Sequence, residues 1–102
     1  MTLVWTKAAP GDLEQILTFL SERNPRAASK VADRVRATIR SIDAFPTAGR
    51  LDLVTGCRER IVPRTPLLVI YTIDDAASHV EIIAIFDMAR DPETKRAPIV
   101  RP

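Results

Sequence analysis

Residues 10–46 have the sequence PGDLEQILTFLSERNPRAASKVADRVRATIRSIDAFP, and they decide the fold because they encode two consecutive helices. Apolar residues recur in both halves at steps of three and four, which is the period of a helix with one buried face. They are Leu13, Ile16, Leu17 and Leu20 in the first half, and Ala28, Val31, Val35, Ile39 and Ile42 in the second. Asn24-Pro25 separates the two halves, since proline suits the first position of a helix. So short a connection predicts an antiparallel helical hairpin.

Short apolar runs on both sides of this hairpin predict β-strands. The runs are Leu3-Val4-Trp5 before it and residues 51–54, 57–62, 67–73 and 80–86 after it. Thr55-Gly56 and residues 74–78 supply the turns between neighbouring strands. Residues 67–73 and 80–86 are apolar at nearly every position, which indicates that both faces of these strands are covered, one of them by a partner. Gly49, just after the second helix, is expected to adopt the positive φ of a tight exit.

The predicted fold class is therefore α+β, with the element order β-α-α-β-β-β-β. An N-terminal strand precedes an antiparallel helical hairpin, which packs on one face of a small, mainly antiparallel, twisted sheet. We expect a single domain over residues 1–92 and a C-terminal tail, residues 93–102, that is poorly ordered unless bound.

The bulk composition is that of an ordinary globular protein. The net charge of +2 is too small to indicate nucleic-acid binding by itself. No apolar run approaches the ~20 residues that cross a bilayer, and no N-terminal signal segment is present, so we expect no membrane contact. The single cysteine, Cys57, cannot form an internal disulfide. This is consistent with a reducing cytoplasm.

Most catalytic templates do not fit this chain. The one histidine, His79, follows the turn at residues 74–78 and is expected to be exposed. A metal site needs several His, Cys, Asp or Glu ligands together, and a nucleophilic triad needs a histidine base beside the nucleophile. His79 and Cys57 meet neither requirement, and the three glycines are too scattered for a phosphate-binding loop. We therefore expect neither a metal nor a cofactor.

A set of arginines remains as the candidate site. Arg58 and Arg60 alternate onto one face of the sheet, the face opposite the helices, and Arg90 follows the last strand, from where it can converge with them. Arginine binds phosphate and carboxylate groups through two parallel hydrogen bonds. Such a set can stabilise a charged phosphorane in a nuclease that lacks histidine. The alternative, which stays open, is that these arginines form surface ion pairs with nearby carboxylates.

A series of short motifs, in this order and spacing, resembles the RelE/ParE family of small bacterial toxins over about residues 3–92. The motifs are Leu3-Val4-Trp5, Ala9-Pro10-Gly11-Asp12-Leu13, Asn24-Pro25-Arg26-Ala27-Ala28, Phe45-Pro46-Thr47-Ala48-Gly49-Arg50, Arg58-Glu59-Arg60-Ile61-Val62-Pro63, Val69-Ile70-Tyr71 and Met88-Ala89-Arg90-Asp91-Pro92. The resemblance implies the β-α-α-β-β-β-β fold predicted above. It also implies the function of a toxin from a type II toxin–antitoxin system.

The departures from the family distinguish its two branches. The RelE branch, ribosome-dependent mRNA endoribonucleases, carries lysines after the second helix and a tyrosine after the last strand. This chain has Asp52 in the lysine segment and no tyrosine near residues 95–97. If it is RelE-like, its metal-independent catalytic set would be Arg58, Arg60 and Arg90, with Asp87 as the base where many members have histidine.

The ParE branch is the better match, because its members lack a nuclease set and are associated with poisoning DNA gyrase. That resemblance implies a gyrase inhibitor without enzymatic activity. Two alternatives remain: a RelE-like endoribonuclease with a degenerate site, and an inactive relic that only binds its antitoxin.

The resemblance also implies partners. A ParD-like antitoxin would fold a disordered C-terminal segment onto the toxin. We expect its contacts to be Leu51, Leu53, Ile61, Leu67 and Arg64. Gyrase would contact the basic outer face of the second helix and the tail, at Arg34, Arg36, Arg40, Lys95 and Arg96. An ordinary solvated helix face is the alternative for this second set. DNA would be bound only through the complex with the antitoxin.

Overall fold

The computed structural model describes residues 2–90. Its elements are β1 (Thr2–Trp5), α1 (Ala9–Arg23), α2 (Pro25–Ala44), a 3₁₀ turn (Pro46–Ala48), β2 (Arg50–Leu51), β3 (Arg58–Ile61), β4 (Leu67–Asp74) and β5 (His79–Asp87). The strands form one sheet in the order β1-β5-β4-β3-β2. Every neighbouring pair is antiparallel except β1 and β5, which are parallel. The predicted α+β class and element order are confirmed. The tail, with Lys95 and Arg96, lies outside the described residues.

Asn24 forms the junction of the helical hairpin. Its extended backbone (φ −156°, ψ 92°) is the conformation favoured before a proline. Its side chain accepts a hydrogen bond from the Ala27 N–H at 3.1 Å, which caps the start of α2. Pro25 occupies the first turn of α2, where its missing N–H leaves no gap. None of the helices in residues 2–90 has the length and apolar character of a bilayer-spanning segment.

The main core lies between the helical hairpin and one face of the sheet. Val35, Ile39 and Ile42 of α2 are buried there against Val69 and Tyr71 of β4. The other face of the sheet has its own buried cluster, which consists of Cys57, Leu68, Ile70, Ile83 and Ala84. The central strands β4 and β5 therefore bury side chains on both faces, as their continuous apolar sequence indicates.

The N-terminal and C-terminal strands are neighbours. β1 pairs with β5 in parallel register, from Thr2 opposite His79 to Trp5 opposite Ile82. After β1, the Asp12 carboxylate accepts the N–H of Ile85 at 3.1 Å, which attaches the start of α1 to β5. Segments that are far apart in sequence thus meet at one edge of the sheet, where β1 is the outer strand.

The connection between α2 and β3 departs from the sequence prediction in two ways. β2 is only two residues long, because residues 52–57 form the turn: the Gly56 N–H donates to the Asp52 carbonyl at 2.8 Å, with Gly56 at φ 74°. The positive φ expected at Gly49 is wrong, since its φ is −73°. Glycine is required there for space, because a Cβ would collide with the Tyr71 hydroxyl.

Candidate functional site

Arg58 and Arg60 lie on the helix side of the sheet. They stand directly opposite Tyr71 and Val69 of β4, and cross-strand partners share a face. Tyr71 and Val69 belong to the helix-side core, as does Val62, two residues beyond Arg60. The two arginines do share a face, but the expectation that this face is opposite the helices is wrong. Burial of Val62 fixes the register, and with it the direction of both arginines.

The guanidinium groups of Arg58 and Arg60 form hydrogen bonds with the last turns of α2 and with the segment that follows it. Arg58 Nη1 donates to the carbonyls of Gly49 at 3.0 Å and Thr47 at 3.2 Å. Arg60 Nη2 donates to Ser41 Oγ at 2.7 Å, while its Nη1 is buried without a hydrogen-bond partner. Arg58 therefore holds the 3₁₀ turn against β3, and Arg60 retains an unused donor.

Tyr71 of β4 also binds the segment that follows α2. Its buried hydroxyl donates to the Pro46 carbonyl at 2.6 Å and accepts the Gly49 N–H at 3.1 Å. Burial raises the Tyr71 pKa above the usual 10.0, against smaller opposing effects from the Gly49 hydrogen bond and from Arg58 and Arg60. The phenol is therefore neutral at physiological pH and has a structural role. The sequence pattern includes Tyr71 in the Val69-Ile70-Tyr71 motif but does not predict these hydrogen bonds, because the pairing of β3 with β4 is set by tertiary packing.

Arg90 does not join Arg58 and Arg60, so the expected convergence is wrong. Its guanidinium carbon lies 3.6 Å from the centroid of the Phe19 ring in α1. Arg23 lies at the same 3.6 Å distance, and steric exclusion places the two guanidinium groups on opposite faces of the ring. Each exposed contact of this kind contributes about 0.5–1 kcal/mol. The aromatic ring of α1 thus holds Arg90 away from the α2–β3 region.

Asp87, the proposed base of the RelE-like alternative, ends β5 in a buried position. Its Oδ1 accepts the Ala89 N–H at 3.0 Å, and its carbonyl accepts the Arg90 N–H at 3.1 Å. The carboxylate therefore stabilises the turn that follows β5. A base role for it stays a prediction that the geometry does not support.

His79 is half-buried, so the expectation that it is exposed is wrong. Its Nε2 lies 3.4 Å from a Glu81 carboxylate oxygen and 3.8 Å from one of Asp74, because all three flank the β4–β5 turn. Cys57 is buried on the opposite face of the sheet from the helices. Within residues 2–90, no group of three or more His, Cys, Asp or Glu side chains is arranged to hold a metal ion.

The residues expected to bind the antitoxin differ in accessibility. Leu53 is 87% exposed, Ile61 58% and Leu51 42%. Arg64 is also exposed and occupies a turn at φ 59°. Leu67 is only 2% exposed and belongs to the helix-side core, so it offers no surface to a partner. Its inward direction follows from the alternation that also buries Val69 and Tyr71.

A second apolar surface runs along α1. It is an open groove of about 800 Å³ that includes Trp5 of β1, Leu13 and Leu17 of α1, and Ala28 of α2. Glu14 and Glu22 lie at its edge. The helical period predicts that Leu13, Leu17 and Ala28 face the core, but the apolar stripe of α1 is wider than the part that the sheet covers.

The basic face of α2 is divided between solvent and a small pocket. Arg40 is exposed, and Arg36 is also exposed but pairs with Asp33 at 2.7 Å. Arg34 is half-buried and lines a pocket of about 240 Å³ between α2 and β3. The pocket residues include Arg34, Thr38 and Ser41 of α2, and Arg60, Ile61 and Pro63 from β3 onward.

Comparison with known proteins gives consistent matches over most of the chain. Residues 3–92 match the family model described as the ParE toxin of the type II toxin–antitoxin system parDE. Toxin RelE2 of Caulobacter vibrioides is 31% identical over 78 residues, which cover 76% of this chain and 86% of the relative.

Two solved structures share the fold. The chromosomal ParDE TA system from P. aeruginosa superposes with a TM-score of 0.74 at 24% identity, covering 83% of this chain and 92% of that chain. The YoeB/ParE toxin from Agrobacterium tumefaciens superposes with a TM-score of 0.58 at 21% identity, covering 83% of this chain and 95% of that chain.

Proposed function

We propose that this chain, which belongs to the ParE toxin family of type II toxin–antitoxin systems, arrests bacterial growth by binding DNA gyrase and is neutralised by a cognate antitoxin. The toxin would make no bonds itself; it would trap gyrase in its DNA-cleaved state in the cytoplasm. The observation that carries this proposal is the separation of the arginines. Arg90 stacks on Phe19 of α1, whereas Arg58 and Arg60 donate to Gly49 and Ser41, so the three arginines do not present one phosphate-binding cluster.

Two further features support binding over RNA cleavage. Asp52 stands in the segment where RelE-type members carry lysines, and a carboxylate there repels an RNA phosphate. The chain has a single tyrosine, Tyr71, and its hydroxyl is buried in hydrogen bonds to Pro46 and Gly49. A buried phenol of raised pKa is a poor proton donor or acceptor for a substrate outside.

The antitoxin surface is proposed from the exposed apolar side chains. An amphipathic helix presents apolar residues at steps of three and four, which suits the long groove along α1 at Leu13 and Leu17. Leu51, Leu53 and Ile61 offer further contacts near the other edge of the sheet. A disordered antitoxin segment can wrap both surfaces because it orders only on binding.

The gyrase surface is proposed on the outer face of α2. Arg36 and Arg40 project into solvent there, and Arg40 has no carboxylate partner among residues 2–90. Gyrase holds DNA during its cycle, so a cationic helix face would be attracted to the negative field around that complex.

The test is a supercoiling and cleavage assay with purified gyrase, combined with induction of the chain in bacteria. We expect growth arrest, DNA-damage signalling and linear cleaved DNA. Arg40→Glu should weaken gyrase inhibition about 10-fold, whereas Lys7→Glu, a matched reversal in the exposed β1–α1 loop, should not. Rapid codon-dependent mRNA cleavage with intact DNA would refute the gyrase proposal and support a ribonuclease. Expression without any growth defect would indicate an inactive relic.

A further inference from the structure

The pocket between α2 and β3 carries an excess of positive charge. Arg34 and Arg60 both line it, and no carboxylate is among the described residues that do. Neither arginine forms an ion pair within residues 2–90. Two guanidinium groups that share a small, partly enclosed space repel each other, and an anion placed between them removes that repulsion.

One guanidinium nitrogen of Arg60 is held by α2 and another has no partner. Ser41 Oγ accepts its Nη2 at 2.7 Å, which fixes the plane of the guanidinium, while Nη1 is buried and has no hydrogen-bond partner. Buried donors are nearly always satisfied in folded proteins, so an unsatisfied one calls for a specific explanation. Arg60 stands opposite Val69 of β4, and Arg58 stands opposite Tyr71 on the same face.

The surroundings of the pocket favour a side chain over a nucleic acid. Ala37, Ile61 and Pro63 line it beside the two arginines, and Ile61 is 58% exposed. An apolar border excludes water from an ion pair beneath it and contacts the methylene groups of a glutamate. Its volume of about 240 Å³ is small, and phosphates along a nucleic-acid strand are bound by open basic surfaces.

We propose that the α2–β3 pocket binds a carboxylate side chain from the acidic segment of the antitoxin, with Arg60 and Arg34 as its two anchors. This inference depends on the proposed antitoxin partner and assigns the place where its charge is bound. The Arg60 guanidinium would donate to one carboxylate oxygen and the Arg34 guanidinium to the other, which makes both hydrogen bonds charge-assisted. Ser41 would position Arg60 without touching the ligand.

The experiment measures binding of the full chain to the antitoxin encoded in the adjacent reading frame, by isothermal titration calorimetry. Arg60→Gln should weaken binding about 30-fold or more, since it removes one partner of a buried charge pair. Arg34→Gln should weaken it about 10-fold. The matched control is Arg26→Gln, an exposed arginine on the same helix but outside the pocket, with an expected change below about 2-fold.

A second measurement, made on the wild-type chain, does not depend on whether the variants fold. The Nε–H resonance of Arg60 in the ¹⁵N-labelled chain should shift on titration with wild-type antitoxin, and one Glu→Gln or Asp→Asn change in the antitoxin should abolish the shift. Equal affinities for the Arg34, Arg60 and Arg26 variants would overturn the pocket assignment. Absence of any antitoxin binding by the wild-type chain would instead refute the proposed partner.

A third arm uses a 10-nucleotide RNA as the probe. We expect no binding that depends on Arg34 or Arg60. RNA binding that both substitutions abolish, together with unchanged antitoxin affinity, would overturn the carboxylate assignment and identify a phosphate site.

Discussion

Replacing Tyr71 with phenylalanine tests how the segment after α2 is held. The substitution removes only the hydroxyl, which donates to the Pro46 carbonyl and accepts the Gly49 N–H. Both backbone groups then lack their partner in a buried region, and each unsatisfied group costs about 1–3 kcal/mol. Allowing for partial relaxation, we expect a loss of about 2 kcal/mol in the free energy of unfolding. For a chain of this size, that corresponds to a fall of about 10 °C in Tm.

The assay is urea and thermal unfolding followed by circular dichroism, with Thr72→Val as the matched control. Thr72 neighbours Tyr71 on β4 and is fully buried, but its hydroxyl has no hydrogen-bond partner. Removing that hydroxyl should leave stability unchanged or raise it slightly. The reasoning is refuted if Tyr71→Phe costs less than about 0.5 kcal/mol, or if the two substitutions have equal effects.

Four further predictions follow from described contacts. Gly49→Ala should lower the free energy of unfolding by about 2–4 kcal/mol, because the added Cβ collides with Tyr71. A double-mutant cycle with Tyr71→Phe should show coupling between the two positions. Strict additivity of the two effects would contradict the collision. Burial raises the Tyr71 pKa, so above pH 10 the folded chain binds more protons than the unfolded chain. The free energy of unfolding should therefore fall as the pH rises past 10. A Tyr71→Phe variant with the same alkaline slope would exclude this cause. Asn24→Ala should cost about 1 kcal/mol in urea unfolding by removing the cap of α2, and no loss would show that water replaces it. Leu17→Glu should weaken antitoxin binding at least 10-fold in calorimetry with Tm nearly unchanged, and undiminished affinity would exclude the α1 groove.

The local parts of this fold were predictable from sequence. A helical period, a proline after Asn24 and a polar turn before His79 each act over a few residues, so the elements and their order follow from short patterns. The face of the sheet to which a strand side chain points was harder to predict from the sequence. Whether Arg60 and Leu67 face the helices depends on the pairing of β3 with β4, which is fixed by tertiary packing.

In the candidate sites, too, local features could be predicted from the sequence and tertiary contacts could not. Arginines that alternate along β3 were found correctly as residues of one face. Their actual partners are Ser41 of α2 and the carbonyl of Gly49, and neither contact follows from a short sequence pattern because both depend on how α2 and its exit pack over β3. The stacking of Arg90 on Phe19 joins residues of different elements through an aromatic contact that any exposed arginine can make.

The parallel pairing of β1 with β5 has a consequence for synthesis on the ribosome. A nascent chain that ends before residue 79 lacks the strand that pairs with β1, and it lacks Ile85, to which Asp12 attaches the start of α1. The N-terminal half therefore lacks part of the surface on which it packs until residues 79–87 have been synthesised. Truncated products that lack β5 would be poorly packed and readily degraded, so only a chain that includes residues 79–87 would fold.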